Sequence, residues 1–371
     1  MSRPFLPAIG VLAAAYCLLA LLLALIDPLS IYPWGISAPL RADGDYSMES
    51  TPYLVDAVAK DPSLDTIFIG GSTGHFYTPQ MMQEILPNTR HAFNLSYGRP
   101  SAADRAVVAR QILRYSHARH FILEADWPYI IRARDQVMAE SFPLYLYDDK
   151  WWNDVRDINV QFIKLTLTAL RRNLLWTPSW SKTSEQETYQ ARYQAIHSAA
   201  FNAGYAAMIA RNKLSVDAPS TLTCDAMDTI GAILVPMVRA LSQRGAQVDL
   251  VVPPYSWIIY YRAGEPSDPF HRPTLLNDVL LMRSCFVHAV DGIPGVRVFA
   301  FDDVPAIGGD FRNFMDVGHL YNPDANRYIL QSIGSGEHRL TVDNIEAKNA
   351  EMHANVLHYR LMSDNSGASG Q

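Results

Sequence analysis

The sequence predicts a three-layer α/β fold, a parallel sheet covered by helices on both faces, and three observations carry that prediction. Short, nearly continuous apolar runs recur along the chain, as strands buried on both faces require. Helix-period segments separate them, which is the alternation of a parallel sheet. Residues able to do chemistry follow the runs, where reacting groups collect at the carboxyl edge of such sheets.

The elements follow in order. A helical stretch at Thr51 to Lys60 leads into the first strand, Thr66 to Gly70, and similar runs stand at His91 to Leu95, His120 to Glu124, Gln247 to Val252 and Val296 to Phe301. Between and after them, helical periodicity covers Pro79 to Leu86, Ser101 to Tyr115, Met227 to Arg244, Leu275 to Val290 and Pro323 to Ile333. The interval from about 141 to 225 is too long for an ordinary crossover and reads as a helical insertion. Within it Trp151, Trp152, Val155, Ile158, Phe162 and Leu165 recur at helical spacing, followed by Leu174, Leu175, Trp176 and Trp180. Such a stripe is a lid or membrane-facing docking surface in one reading and ordinary helix packing in the other. The tail, 336–371, is expected to be part helical and part disordered, ending in the polar run Ser363 to Gln371.

With 371 residues, 49% hydrophobic and 18% charged, the chain is long enough to bury a sizeable core and is not generally disordered. A net charge of −6 with no basic cluster argues against a nucleic-acid partner. From Phe5 to Ile26 there is no charged residue, enough apolar chain to span a bilayer as a helix. Arg3 precedes it and no Lys or Arg follows until Arg41, so the positive-inside rule places residues 1–4 in the cytoplasm and the rest outside. A cleaved signal peptide is the competing reading, although its apolar region is usually shorter. Residues 27–60 then form a connector with interfacial aromatics at Tyr32 and Trp34. In that orientation Cys224 and Cys285 can form a disulfide, with two buried thiols as the alternative.

Gly70-Gly71-Ser72-Thr73 after the first strand is a turn of the kind that exposes a nucleophile at a helix start. On its own it could equally hold a phosphate or cap a helix. Far downstream, Asp316-Val317-Gly318-His319 supplies a base and the carboxylate that would orient it. Taken together, Ser72, His319 and Asp316 form a candidate acyl-transfer triad. His75, close after Ser72, is the second candidate base, but would point away from its neighbour's hydroxyl. His117 and His120 have metal-ligand residue types with no third ligand nearby, and read as a solvated helix end.

These residues resemble the SGNH (GDSL-like) hydrolases, more specifically membrane-anchored members that act in O-acylation of exported or cell-surface polysaccharides. Those members include alginate O-acetylation proteins and the D-alanyl-lipoteichoic acid transfer protein. The matching blocks are Ile69 to Ser72, Phe93 to Gly98 and Asp316 to Pro323. The resemblance implies a flavodoxin-like three-layer sheet over 61–335, with Ser72, His319 and Asp316 as catalytic residues. It also implies backbone N–H groups of Ser72 and Gly98 as the oxyanion hole, and no cofactor or metal. Asn94, Asp126 and Trp127 become candidate substrate-binding residues. The third block departs from the family pattern: Glu124-Ala125-Asp126-Trp127 stands where the family has Gly-x-Asn-Asp, and an ionised Asp126 cannot replace the Asn side chain as a donor. The implied partners are a polysaccharide acceptor and an acyl donor delivered by a multi-pass membrane protein. The implied location is a bacterial inner membrane with the catalytic domain in the periplasm. A periplasmic carbohydrate esterase would use the same triad, and a non-catalytic glycan- or partner-binding scaffold would keep the fold without the chemistry.

Overall fold

In a computed structural model, described for parts of 10–22 and for residues 51–98, 100, 102–130, 142–147, 190–227, 230–268 and 271–361, all five apolar runs form strands. They are β1 (Thr66–Gly70), β2 (Ala92–Ser96), β3 (His120–Glu124), β4 (Gln247–Val252) and β5 (Val296–Ala300). A two-residue β6 (Arg339–Leu340) completes one sheet in the order β2-β1-β3-β4-β5-β6. The first five strands are parallel and β6 is antiparallel to β5. Every residue of β1 is buried, which is why its sequence is apolar without alternation.

Helices α1 (Val55–Lys60), α2 (Pro79–Ile85), α3 (Ala102–Tyr115), α4 (Trp127–Ile130), α5 (Ala199–Asn212), α6 (Val235–Gln243), α7 (Ile258–Ala263), α8 (Leu275–Val290), α9 (Pro323–Ser335) and α10 (Ile345–Leu357) surround the sheet. The chain moves one way from β1 to β2 and the other way from β2 through β3, β4 and β5. Right-handed crossovers therefore place α2 on one face and α3, α6 and α8 on the other. The packing agrees: α1, α3 and α6 touch in series, while α2 lies against α9. The reversal falls between β1 and β3, where open α/β sheets leave a crevice at the carboxyl edge.

A polar cluster closes one end of this core. At the amino edge Asp249, fully buried in β4, accepts two hydrogen bonds from Arg297 (2.7 and 2.8 Å) and pairs with His120 (2.7 Å). Although burial pushes the Asp249 carboxyl upward, these partners hold it below the usual carboxylate range. His120 is thus a structural partner at the edge opposite the candidate nucleophile. Cys224 and Cys285 are joined as a disulfide that ties the turn Cys224–Ala226 to α8.

The tail is ordered through α10, whose Ile345, Met352 and Val356 are buried against α8. The helix expected over 227–244 is a π-turn at Ile230–Leu234 running into α6. The transmembrane helix expected over 5–26 lacks support: residues 10–11, 14–19 and 21–22 are helical, and among the described residues no helix is long and apolar enough to cross a membrane. Residues 1–9, 23–50 and the tryptophan stripe Trp151 to Trp180 lie outside the described residues.

Because the disulfide closes a loop of 61 residues, it restricts the unfolded chain by about 4 kcal/mol. Replacing Cys224 and Cys285 together by Ala should lower the Tm by roughly 5–10 °C, as read by calorimetry with and without reductant. Reductant should have no further effect on the double variant.

Candidate active site

The nucleophile turn is built from backbone contacts that tolerate no extra atoms. β1 ends at Gly70, and Ser72 opens a 3₁₀ turn, Ser72–Phe76. A Cβ on Gly70 would stand 2.5 Å from the Phe68 ring and 2.9 Å from the Glu124 carboxylate. One on Gly74 would overlap the Phe68 ring. Only glycine lets the turn approach β2 and β3 this closely. Glu124, at the end of β3 and 1% exposed, accepts hydrogen bonds from the Gly71 N–H and from Thr73 Oγ1 (2.6 Å). Its carboxylate therefore clamps the residues on either side of Ser72.

Base and acid come from one tight loop after β5. Met315 N–H donates to the His319 carbonyl (2.9 Å), and Phe314 and Leu320 form an antiparallel bridge. Asp316 Oδ1 accepts the backbone N–H groups of Gly318 (2.8 Å) and His319 (2.9 Å), a turn chemistry that Asp favours. The same spacing of three brings His319 Nδ1 to 2.8 and 2.9 Å from the two Asp316 oxygens. With Nδ1 donating to the carboxylate, Nε2 is left as an acceptor, and it stands 3.0 Å from Ser72 Oγ. Two groups 247 residues apart thus complete a nucleophile, base and orienting acid in series.

Burial works to raise the Asp316 carboxyl, but the bond and charge of His319, the Gly318 N–H and Arg192 outweigh it and hold the group down at about 2. A depressed carboxylate stabilises the fold above its unfolded pKa near 4 and loses that contribution as pH falls towards 2. Asp316 is accordingly ionised wherever the protein is folded near neutrality. Arg192 Nη2 lies 2.7 Å from Asp316 Oδ2 and is half exposed, so it adds little energy. It comes from a helical stretch at 190–196 within the insertion, which also docks through Tyr193 Oη to the Arg312 carbonyl (3.0 Å) and His197 Nε2 to the Phe314 carbonyl (2.8 Å).

A cavity of about 370 Å³ opens over Ser72 and His319. Its apolar walls include Pro100, Trp127, Ile259 and Leu275, and Asp126, Tyr255 and Arg262 reach it from other elements. The dimensions and mixed lining suit a small acyl group beside a polar acceptor. Among the described residues no group of three His, Cys, Asp or Glu could hold a metal.

The sequence-predicted residues divide clearly. Ser72, Asp316, His319, Asp126 and Trp127 all line the cavity. Gly98 lies at the exit of β2, exposed, two residues before the lining Pro100, and is not itself in the wall. Asn94 is not in the wall either: its amide donates to the carbonyls of Gly74 (2.9 Å) and Tyr77 (2.7 Å), and its oxygen accepts from the Ser96 N–H (2.9 Å). It ties the nucleophile turn to β2. The imidazole on Ser72 is that of His319, while His75 packs edge-on against Phe76. Sequence reasoning missed Glu124 as the clamp, Tyr255 and Arg192. Tyr255 follows β4 on the same sheet edge as the other site residues, and that position alone could have found it. No such signal existed for Arg192.

Comparison with known proteins finds no matching family, no matching characterised protein and no matching solved structure. Function therefore rests on this geometry.

Replacing Glu124 by Gln removes one of the two acceptor oxygens that hold Gly71 and Thr73. The donor left unpaired should cost about 1–3 kcal/mol of stability, and the loosened turn should lower acyl-ester turnover by roughly 10–10²-fold with KM little changed. Denaturant melts and steady-state kinetics on the full chain check both.

Proposed function

We propose that this protein is an SGNH-type acyltransferase that moves an acyl group onto an exported or cell-surface polysaccharide. The observation that carries the reading is the series Asp316, His319, Ser72 at 2.8 and 3.0 Å, at the mouth of an acyl-sized cavity. Ser72 Oγ attacks the carbonyl carbon of an acyl ester while His319 Nε2 takes its proton. The tetrahedral oxyanion is held at the backbone N–H of Ser72, and the intermediate collapses as His319 returns the proton to the leaving alcohol. Asp316, ionised, keeps the imidazole in the reacting tautomer and stabilises it once charged. In the second half-reaction His319 deprotonates an acceptor hydroxyl, which attacks the acyl-serine, and the imidazolium returns that proton to Ser72 Oγ as the acyl–serine bond breaks.

Flavodoxin-like strand order supports the SGNH assignment, with Ser72 after β1 and Asp316 and His319 after β5. A periplasmic site for the domain, below a single inner-membrane anchor, is supported by the uncharged stretch from Phe5 to Ile26 and by the disulfide, a bond that persists in oxidising compartments. On this reading the acyl donor reaches the site from a multi-pass membrane protein. Water as the acceptor would make the same site a carbohydrate esterase. A binding scaffold has no need of the assembled triad.

Ser72→Ala should lower turnover of an activated acetyl ester by roughly 10⁴-fold or more and leave the surface glycan of a strain carrying it under-acylated. Ester kinetics and acetate analysis of the purified glycan check the two halves separately. Equal turnover by wild type and variant would remove the nucleophile, and unchanged glycan acylation beside lost ester turnover would leave the esterase.

A further inference from the structure

Asp126 sits where the family pattern has an amide side chain, and its surroundings change what its carboxyl can do. It follows β3, is 5% exposed and lines the cavity with Ser72 and His319. Oδ1 accepts the hydroxyl of Tyr255. Oδ2 faces the nucleophile turn, 3.7 Å from where a Cβ on Gly71 would stand, and Glu124 Oε2 lies 3.3 Å from the same point. Two carboxyl groups are thus pressed against the peptide that precedes Ser72.

Two such groups in one buried site do not both ionise. Glu124 has two donors to its charged form, the Gly71 N–H and the Thr73 hydroxyl, and Arg105 from α3 nearby, so it is the better home for the charge although burial raises it too. Asp126 has the Tyr255 hydroxyl, the Trp127 N–H and the more distant Arg105. Burial, and then repulsion from Glu124, push its carboxyl up to about 8. Across the cavity stand Arg262, paired with Asp268, and Arg192 and His319, both bonded to Asp316.

We propose that Asp126 works as a neutral carboxylic acid whose O–H is a side-chain donor to the oxyanion, replacing the amide the family pattern places there. Since Tyr255 donates to Oδ1, the acid proton is on Oδ2, the oxygen beside the nucleophile turn. Asp126 keeps that proton throughout: Ser72 gives its own to His319, and Asp126 contributes a hydrogen bond to the oxygen that becomes negative. A buried acid kept neutral by its site can serve as such a donor, and removing one oxyanion donor typically costs 10²–10³ in kcat. The inference rests on the acyl-transfer reading of Ser72 and goes beyond it in assigning Asp126.

The test uses the full chain with p-nitrophenyl acetate, corrected for spontaneous hydrolysis, in wild type, Asp126→Ala, Asp126→Asn and Ser72→Ala. Wild-type kcat should fall as pH rises through about 8, where Asp126 ionises, loses its donor and repels the oxyanion. Asp126→Ala should lose about 10²–10³ in kcat with KM little changed, whereas Asp126→Asn should recover to within about tenfold of wild type and lack the alkaline fall near that pH. The wild-type minus Asp126→Asn infrared difference spectrum should show a protonated-carboxyl band at pH 7 that titrates away near 8. No such band overturns the inference even where Ser72-dependent turnover stands. So does Asp126→Ala as active as wild type, or Asp126→Asn as impaired as Asp126→Ala. Wild type and Ser72→Ala hydrolysing the ester alike would instead strike at the acyl-transfer reading and remove the oxyanion role with it.

Discussion

The buried carboxylate of Glu124 is the constraint on which the site depends. Taking that group out of water is costly unless its oxygens are satisfied, and they are satisfied by the peptide and hydroxyl that flank Ser72. The nucleophile turn is thereby fixed to the end of β3 rather than left as a free connection. Gly70 and Gly74 make the close approach sterically allowed, and Asn94 secures the far side of the turn to β2. Asp126 lies two residues beyond Glu124 and is pressed against the same peptide, so burial, and then repulsion from the clamp that holds Ser72, raise its carboxyl.

Sheet topology supplies the rest. Parallel strands with helical crossovers deliver all their carboxyl ends to one edge, and the order reversal beside β1 opens room there. His319 reaches Ser72 across 247 residues because β5 ends on that edge and a loop closed by Asp316 turns the imidazole back over it. Asp316 has two tasks in this loop, holding its backbone and orienting its base, and its low-lying carboxyl follows from both. Arg192 adds a weaker tie from the insertion, so the segment leading into α5 rests on the triad loop.

What the sequence revealed depended on whether a feature was local. The five main strands were legible because strands buried on both faces must be apolar throughout. Ser72, Asp316 and His319 were legible because each sits in a motif whose turn chemistry is written in adjacent residues, and the strand order brings the motifs together. Asn94 looked like a ligand-binding amide, yet its bonds all go to backbone, which only the fold discloses. The same holds for Asp126: its neutrality comes from burial first and then from Glu124, against the pull of the Tyr255 hydroxyl, and no stretch of sequence discloses that balance.

The central claim is that His319 makes Ser72 nucleophilic, and active-site labelling tests it most directly. Treating the folded full chain with a fluorophosphonate and mapping the adduct by peptide mass spectrometry should give one modified residue, Ser72, with labelling lost in His319→Ala. A chain that stays unlabelled, or that labels equally with and without His319, would contradict the account.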